Sequence, residues 1–117
     1  MTRTILTTLV VAIAIGTAAV LAHFKVAKTL PADGAVLTAP PTVVQVWFSE
    51  KPALAASALT LEGAGGAVAL GRTELADERS LRAAVEGPIA PGAYKVNWRA
   101  AGSDGHVLRG SYGFTLK

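Results

Sequence analysis

Apolar and polar residues alternate most regularly near the carboxyl end of the chain, over residues 94–99 and 111–116. The apolar positions are Tyr94, Val96 and Trp98 in the first stretch and Tyr112, Phe114 and Leu116 in the second. A period of two is typical of a strand that buries one face and exposes the other. We therefore predict two strands here, paired as an antiparallel hairpin around the loop that joins them.

Similar but shorter patterns occur along the rest of the chain. Residues 42–48 are rich in β-branched and aromatic side chains and predict a strand with Val44, Val46 and Phe48 on one face. Residues 24–29 predict a first strand, and three further apolar alternations predict strands around Leu59 and Leu61, around Val68 and Leu70, and over residues 81–85. About seven short strands without an amphipathic helix predict an all-β, two-sheet Greek-key β-sandwich.

The segments between these strands carry turn residues. Glycine-rich residues 63–66 predict a hairpin turn, and residues 30–35 and 87–92 predict turns or loops because they combine Pro and Gly. Residues 52–57 fit either a short helical turn or a loop, and residues 73–78 are expected to be polar and exposed.

The amino-terminal 22 residues have the pattern of a secretory signal peptide. Arg3 precedes an apolar stretch from Ile5 to Leu21, and small residues stand where a signal peptidase cuts. Cleavage after Ala22 would make His23 the first residue of a mature domain of residues 23–117, exported to the periplasm. The alternative is an uncleaved membrane anchor, because the apolar stretch is near the lower length limit of a spanning helix.

Composition excludes several classes of site. The chain of 117 residues has no cysteine, so a disulfide framework, a thiolate zinc site and an iron–sulfur cluster are not available. Loss of Arg3 with the leader lowers Lys+Arg from 11 to 10 against 8 acidic residues, a net charge of +2. These charges are scattered, and we therefore predict no nucleic-acid partner.

The two histidines of the chain, His23 and His106, suggest a metal site. Asp104 and His106 lie two residues apart, so in extended backbone both side chains would point to the same side. An amino-terminal histidine can chelate an ion through its free amine and its ring. Three nitrogens and one oxygen without sulfur suit tetragonal Cu(II). Asp-Gly is also an ordinary turn pair, so each residue taken singly has a simpler explanation.

Five short motifs then carry a resemblance to a known family. They are LPADGA (30–35), FSE (48–50), PGAYKVNWR (91–99), SDGH (103–106) and GSYGF (110–114). Together with His23 after a leader, they resemble the CopC family of periplasmic copper-resistance and copper-carrier proteins. The resemblance implies an immunoglobulin-like β-sandwich that binds Cu(II) through His23, Asp104 and His106, with Glu50 near the metal.

The resemblance also bears on partners. Some family members have a methionine-rich Cu(I) site, but Met1 is the only methionine of this chain, so it resembles the Cu(II)-only branch. Some relatives work with a CopD-like inner-membrane copper transporter, which is implied here by the family alone. We expect a monomer. Phe24 offers no ligand atom, and we expect it to matter little for copper.

Three functions remain open from the sequence. The first is a periplasmic protein for Cu(II) capture, delivery or resistance, without enzymatic activity. The second is a copper-dependent oxidase, because polysaccharide monooxygenases also use an amino-terminal histidine chelate; a charged Asp104 in the fourth position argues against it. The third is a structural sandwich domain without a metal.

Overall fold

Strands make up most of the structure, as the β-branched and aromatic residues predict. The computed structural model describes residues 24–117, and the predicted signal peptide (residues 1–22) and His23 lie outside the described residues. The strands are β1 (Val26–Leu30), β2 (Ala35–Leu37), β3 (Val43–Phe48), β4 (Ala58–Gly63), β5 (Gly66–Val68), β6 (Glu74–Asp77), β7 (Ser80–Ala84), β8 (Gly92–Ala101) and β9 (Val107–Leu116). One short 3-10 helix, Leu54–Ala56, lies between β3 and β4. No helix in this part of the chain has the length and hydropathy needed to span a bilayer.

The strands form two sheets, which confirms the predicted β-sandwich. One sheet has four strands in the order β1-β3-β7-β6, and the other has five in the order β2-β9-β8-β4-β5. All pairs are antiparallel except β2 with β9, which is parallel. The chain repeatedly passes from one sheet to the other, so strands distant in sequence become neighbours.

The core lies between the sheets and contains the side chains that the alternation assigned to it. Val44, Val46 and Phe48 of β3 are buried, and β8 and β9 contribute a matching set from the facing sheet. That set is Val96, Ala100, Tyr112, Phe114 and Leu116. The buried polar pair Gln45 and Ser80 is satisfied internally, because the Gln45 amide donates to the Ser80 hydroxyl at 2.9 Å. The predicted buried faces of β3 and β9 are therefore confirmed, while on β8 Val96 is buried and Tyr94 and Trp98 are only partly buried and pack against the core.

Two short strands were not predicted. Strand β2 follows the turn at residues 30–35 and exists through its parallel pairing with Phe114–Leu116, a partner far away in sequence. Strand β6 falls in the stretch expected to be merely polar and exposed; Glu74 and Asp77 at its ends are exposed, and it pairs with β7 through an irregular register. The hairpin turn at residues 63–66 is confirmed, since Gly63 faces Gly66 across the β4–β5 pair.

The turn at residues 30–35 is tied to β9 by side-chain hydrogen bonds. The Tyr112 hydroxyl donates to the Leu30 carbonyl at 2.9 Å, and Asp33 Oδ1 accepts from the Gly113 N–H at 3.0 Å. Burial of the Tyr112 ring raises the pKa of its hydroxyl. These contacts give the LPADGA motif a structural role, because they fix its turn against the edge of the five-stranded sheet.

Strands β8 and β9 form the long hairpin predicted from the alternation. Their ten register pairs run from Gly92 opposite Leu116 to Ala101 opposite Val107. The five residues left between the strands, 102–106, form a loop at the tip of the hairpin, and this loop carries Asp104 and His106.

Candidate metal centre

The loop of residues 102–106 is shaped by its own backbone and by the Asp104 side chain. The Gly105 N–H donates to the Gly102 carbonyl at 3.0 Å, and Gly105 has a φ of +81°, a conformation that favours glycine. Asp104 Oδ1 accepts from the His106 N–H at 2.9 Å. This local hydrogen bond closes the turn and places the two side chains next to each other.

The atoms of Asp104 and His106 that would bind a metal ion are close together and accessible. Asp104 Oδ2 lies 3.7 Å from His106 Nδ1, and the two side chains are 70% and 84% exposed. Two atoms bound to one metal ion at about 2.0 Å stand about 2.8 Å apart when adjacent and about 4.0 Å apart when opposite. The observed 3.7 Å is near the separation of opposite ligands and about 0.9 Å longer than that of adjacent ones, so the two side chains would have to move slightly to bind a single ion.

Glu50 supports the loop from the end of β3. Its Oε1 accepts from the Ser103 N–H at 2.9 Å and from the Ser103 hydroxyl at 3.2 Å. The sequence left open whether Glu50 or Ser103 acts near the metal. In the structure Ser103 donates hydrogen bonds to Glu50, and Glu50 thereby holds the loop in position. Ser103 makes no hydrogen bond to Asp104.

Phe24 packs against the base of the same loop. Its ring stacks on Phe48 with centroids 4.8 Å apart, and Phe48 in turn meets Trp98 edge-on at 5.3 Å. A Cβ placed on Gly102 would lie 2.6 Å from Glu50 Oε1 and 3.0 Å from Phe24 Cδ2. Gly102 therefore permits a close approach of the Glu50 carboxylate and the Phe24 ring to the loop backbone.

The sequence placed Glu50 near the metal, but it predicted neither the hydrogen bonds of Glu50 to Ser103 nor the packing of Phe24 against the loop. Glu50 and Ser103 are 53 residues apart, and neither residue type signals its partner. Phe24 was expected to matter little for copper because it offers no ligand. A hint was available in FSE (48–50), which places Glu50 directly after a core strand.

The described residues include two of the three predicted ligand residues. Asp104 and His106 are brought together, but residues 24–117 contain no group of three or more His, Cys, Asp or Glu side chains that could hold a metal ion. His23, the remaining predicted ligand, lies outside the described residues. It is bonded directly to Phe24, whose ring packs beside Gly102 at the base of the loop.

Known proteins with similar sequences and folds share one description. The family model of the CopC domain matches residues 26–117. Copper resistance protein C of Xanthomonas campestris pv. juglandis is 34% identical over 98% of this chain and 97% of its own, and copper resistance protein C of Escherichia coli is 36% identical over 83% of each. These names describe copper resistance rather than an enzymatic activity.

Solved structures agree with the sequence matches. PcoC of Escherichia coli, described as a methionine-rich copper resistance protein, superposes with a TM-score of 0.74 at 31% identity, covering 82% of this chain and all of PcoC. CopC of Methylosinus trichosporium OB3b superposes with a TM-score of 0.71 at 27% identity, covering 81% and 94% of the two chains. The family match over nearly all described residues, together with relatives of this identity and coverage, shows that the chain belongs to the CopC family.

Proposed function

We propose that this protein binds Cu(II) outside the cytoplasm and captures or delivers it as a copper-resistance or copper-carrier protein. The observation that carries the proposal is the Asp104–His106 pair, whose ligand atoms lie 3.7 Å apart on an exposed loop. The loop is held at its base by Phe24, the residue that follows His23. A cleaved leader ending at Ala22 would place a free amine and a second imidazole one residue from that base.

The proposed ligands are the His23 amine and imidazole, Asp104 and His106. This set supplies three nitrogens and one oxygen, which favours Cu(II) in tetragonal geometry over the soft ion Cu(I). The PcoC structure that resembles this fold is described as methionine rich. In this chain Met1 is the only methionine and there is no cysteine, so no sulfur ligand remains after the leader is removed.

The exposure of Asp104 and His106 supports a protein that carries and releases copper rather than one that keeps a buried copper ion. Both side chains project from the hairpin tip, and the core does not have to open for an ion to reach or leave them. A partner could therefore replace the ligands one at a time.

We propose that the protein acts as a periplasmic monomer, with a CopD-like inner-membrane transporter as a partner, and that it catalyses no reaction. Asp104 would fill the position that oxygen chemistry would need open.

The decisive experiment changes only the amino terminus. Cu(II) is titrated, in competition with a chelator of known affinity, into protein that begins at His23 and into protein with one glycine added before it. The extra residue converts the amine to an amide and abolishes the chelate, so we expect at least about a ten-fold loss of affinity. Because both nitrogens must lose their protons to bind, affinity should also fall as the pH is lowered.

The same samples test the alternatives. Equal affinities would show that the amine is not a ligand, and absence of binding in both would remove the copper proposal. Oxygen consumption with ascorbate that greatly exceeds that of free copper would contradict the non-enzymatic function. Mass spectrometry of the exported protein shows directly whether His23 is its first residue.

A further inference from the structure

Two arginines face each other across the long hairpin. Arg99 on β8 is the register partner of Arg109 on β9, and both side chains are exposed. They lie on the outer face of the five-stranded sheet, on the same side as Asn97 and opposite to the buried Val96 and Ala100. Like charges placed directly opposite each other on antiparallel strands are unfavourable, so this pair is a cost to the isolated fold.

Nothing in the described part of the chain neutralises this pair. Within residues 24–117 the ion pairs are Arg82 with Glu74 and His106 with Asp104, and neither Arg99 nor Arg109 makes a side-chain hydrogen bond. The nearest carboxylate of the same face along the register is Glu62. It stands opposite Lys95 and accepts a hydrogen bond from the Asn97 amide at 3.3 Å. Two guanidinium groups therefore remain available to an external anion.

The surface between these side chains is concave. A cavity of about 240 Å³ is lined by Arg99 and Arg109 together with Thr60 and Asn97, and the backbone of Gly110 borders it. Guanidinium groups bind carboxylates through two parallel hydrogen bonds, and a hydroxyl and an amide next to them can complete the recognition of an acidic side chain. The cavity has room for one or two such groups.

The arginine pair also lies close to the loop that carries Asp104 and His106. Only the register pairs Ala100–Leu108 and Ala101–Val107 separate it from the loop, a distance of about 10 Å along the strands. Val107 and Leu108 in this interval are exposed apolar residues, 40% and 39% accessible. Val107 lies on the same face as the arginines and Leu108 on the opposite face, so a segment bound to the arginines would lie across Val107 and end beside the loop.

We infer that Arg99 and Arg109 form a docking site for a carboxylate-rich segment of a partner protein, next to the candidate metal loop. That this partner exchanges copper with the chain rests on the proposed function; the docking site itself does not. The bound segment would neutralise the opposed charges and would hold the partner's own ligands within reach of Asp104 and His106.

The test uses metal-free protein and a short polyglutamate peptide, with binding followed by NMR of backbone and arginine side-chain N–H groups. We expect saturable shifts at residues 97–99 and 109–111, weakened by added salt because the charges are exposed. Arg109→Gln should lower the affinity about two- to five-fold, the loss expected when one exposed paired charge is removed. The matched control Arg82→Gln removes the same charge from the other sheet and should bind as the unchanged protein does.

Several results would overturn the docking site. One is an equal loss of polyglutamate affinity in Arg109→Gln and Arg82→Gln. Another is that the NMR shifts of the unchanged protein map to a different face. A third is that inorganic phosphate binds where polyglutamate does not. Folding does not confuse the test, because Arg109→Gln removes a repulsion and should melt at the same or a higher temperature. Since no copper is present, failure of the copper proposal would leave these readouts unchanged.

Discussion

Gly102 is the residue at which the support of the candidate metal loop can be tested most directly. It is buried, and its backbone does not adopt the left-handed conformation that would exclude alanine. The consequence of Gly102→Ala is therefore steric. The new methyl group would lie 2.6 Å from Glu50 Oε1 and 3.0 Å from Phe24 Cδ2, so both side chains must move.

The size of the effect follows from the contacts that are lost. If the Glu50 carboxylate swings away, it gives up its hydrogen bonds to the Ser103 N–H and hydroxyl, at about 0.5–1.5 kcal/mol each. The total loss should be about 1–3 kcal/mol, and each 1 kcal/mol lowers the Tm of a domain of this size by about 4–8 °C. Displacement of the groups that position metal ligands typically weakens metal binding about 10–100-fold, and we expect Cu(II) affinity to fall in this range.

Thermal unfolding and competitive Cu(II) titration measure both effects. Gly65→Ala is the matched control, because no atom lies within 4 Å of its added Cβ. The double variant Gly102→Ala with Glu50→Ala tests the cause. Once the carboxylate is gone, the new methyl group has less to displace. The double variant should therefore lose less stability than the sum of the losses in the two single variants. If Gly102→Ala and Gly65→Ala melted and bound copper alike, the close packing at the loop base would not control the site.

Two further predictions concern the loop tip and the core. Asp104→Asn keeps an acceptor for the His106 N–H but removes the charge, and His106→Ala removes the ring; each should lower Cu(II) affinity at least about ten-fold in a competitive titration, with little change in Tm because both side chains are exposed. Unchanged affinity in either variant would remove that residue from the ligand set. Burial raises the pKa of Tyr112, so the stability it contributes is present below its ordinary pKa of 10.0 and is lost as the pH rises through the raised value. Tyr112→Phe should lower the free energy of unfolding by about 1 kcal/mol at neutral pH and should reduce its decrease at alkaline pH, as measured by urea unfolding at a series of pH values. If stability fell as steeply at alkaline pH in the variant, another group would be responsible for that decrease.

The parts of the fold that were predictable are those whose information is local. In β3, β8 and β9 every second side chain is apolar, and burial of that face follows from the pleat of a strand. The position of the loop between β8 and β9 follows from the same pattern, since the break in alternation falls between Arg99 and Ser111. The alternation alone therefore places Asp104 and His106 on one loop.

The parts that were not predictable depend on partners distant in sequence. Strand β2 has only three residues and is defined by its pairing with β9, which no periodicity of its own can reveal. The bond between Glu50 and Ser103 joins the end of one sheet to the tip of a hairpin on the other, and many acceptors in the sequence could have been its partner. The stacking of Phe24 on Phe48 likewise depends on how β1 and β3 are aligned.

The contacts of the loop divide the candidate site into a fixed base and an accessible tip. The base is continuous with the core through Phe24, Phe48 and Trp98, and the Glu50 carboxylate is engaged with the loop backbone. The tip carries the two candidate ligand side chains, Asp104 and His106, each more than two thirds exposed. For the proposed carrier, a fixed base limits the ordering cost of binding an ion, while an open tip lets an incoming ligand approach before the old ones leave. Affinity and exchange would then be controlled by different residues, so Gly102 and Glu50 variants should change how tightly copper is held without closing the route by which it is transferred.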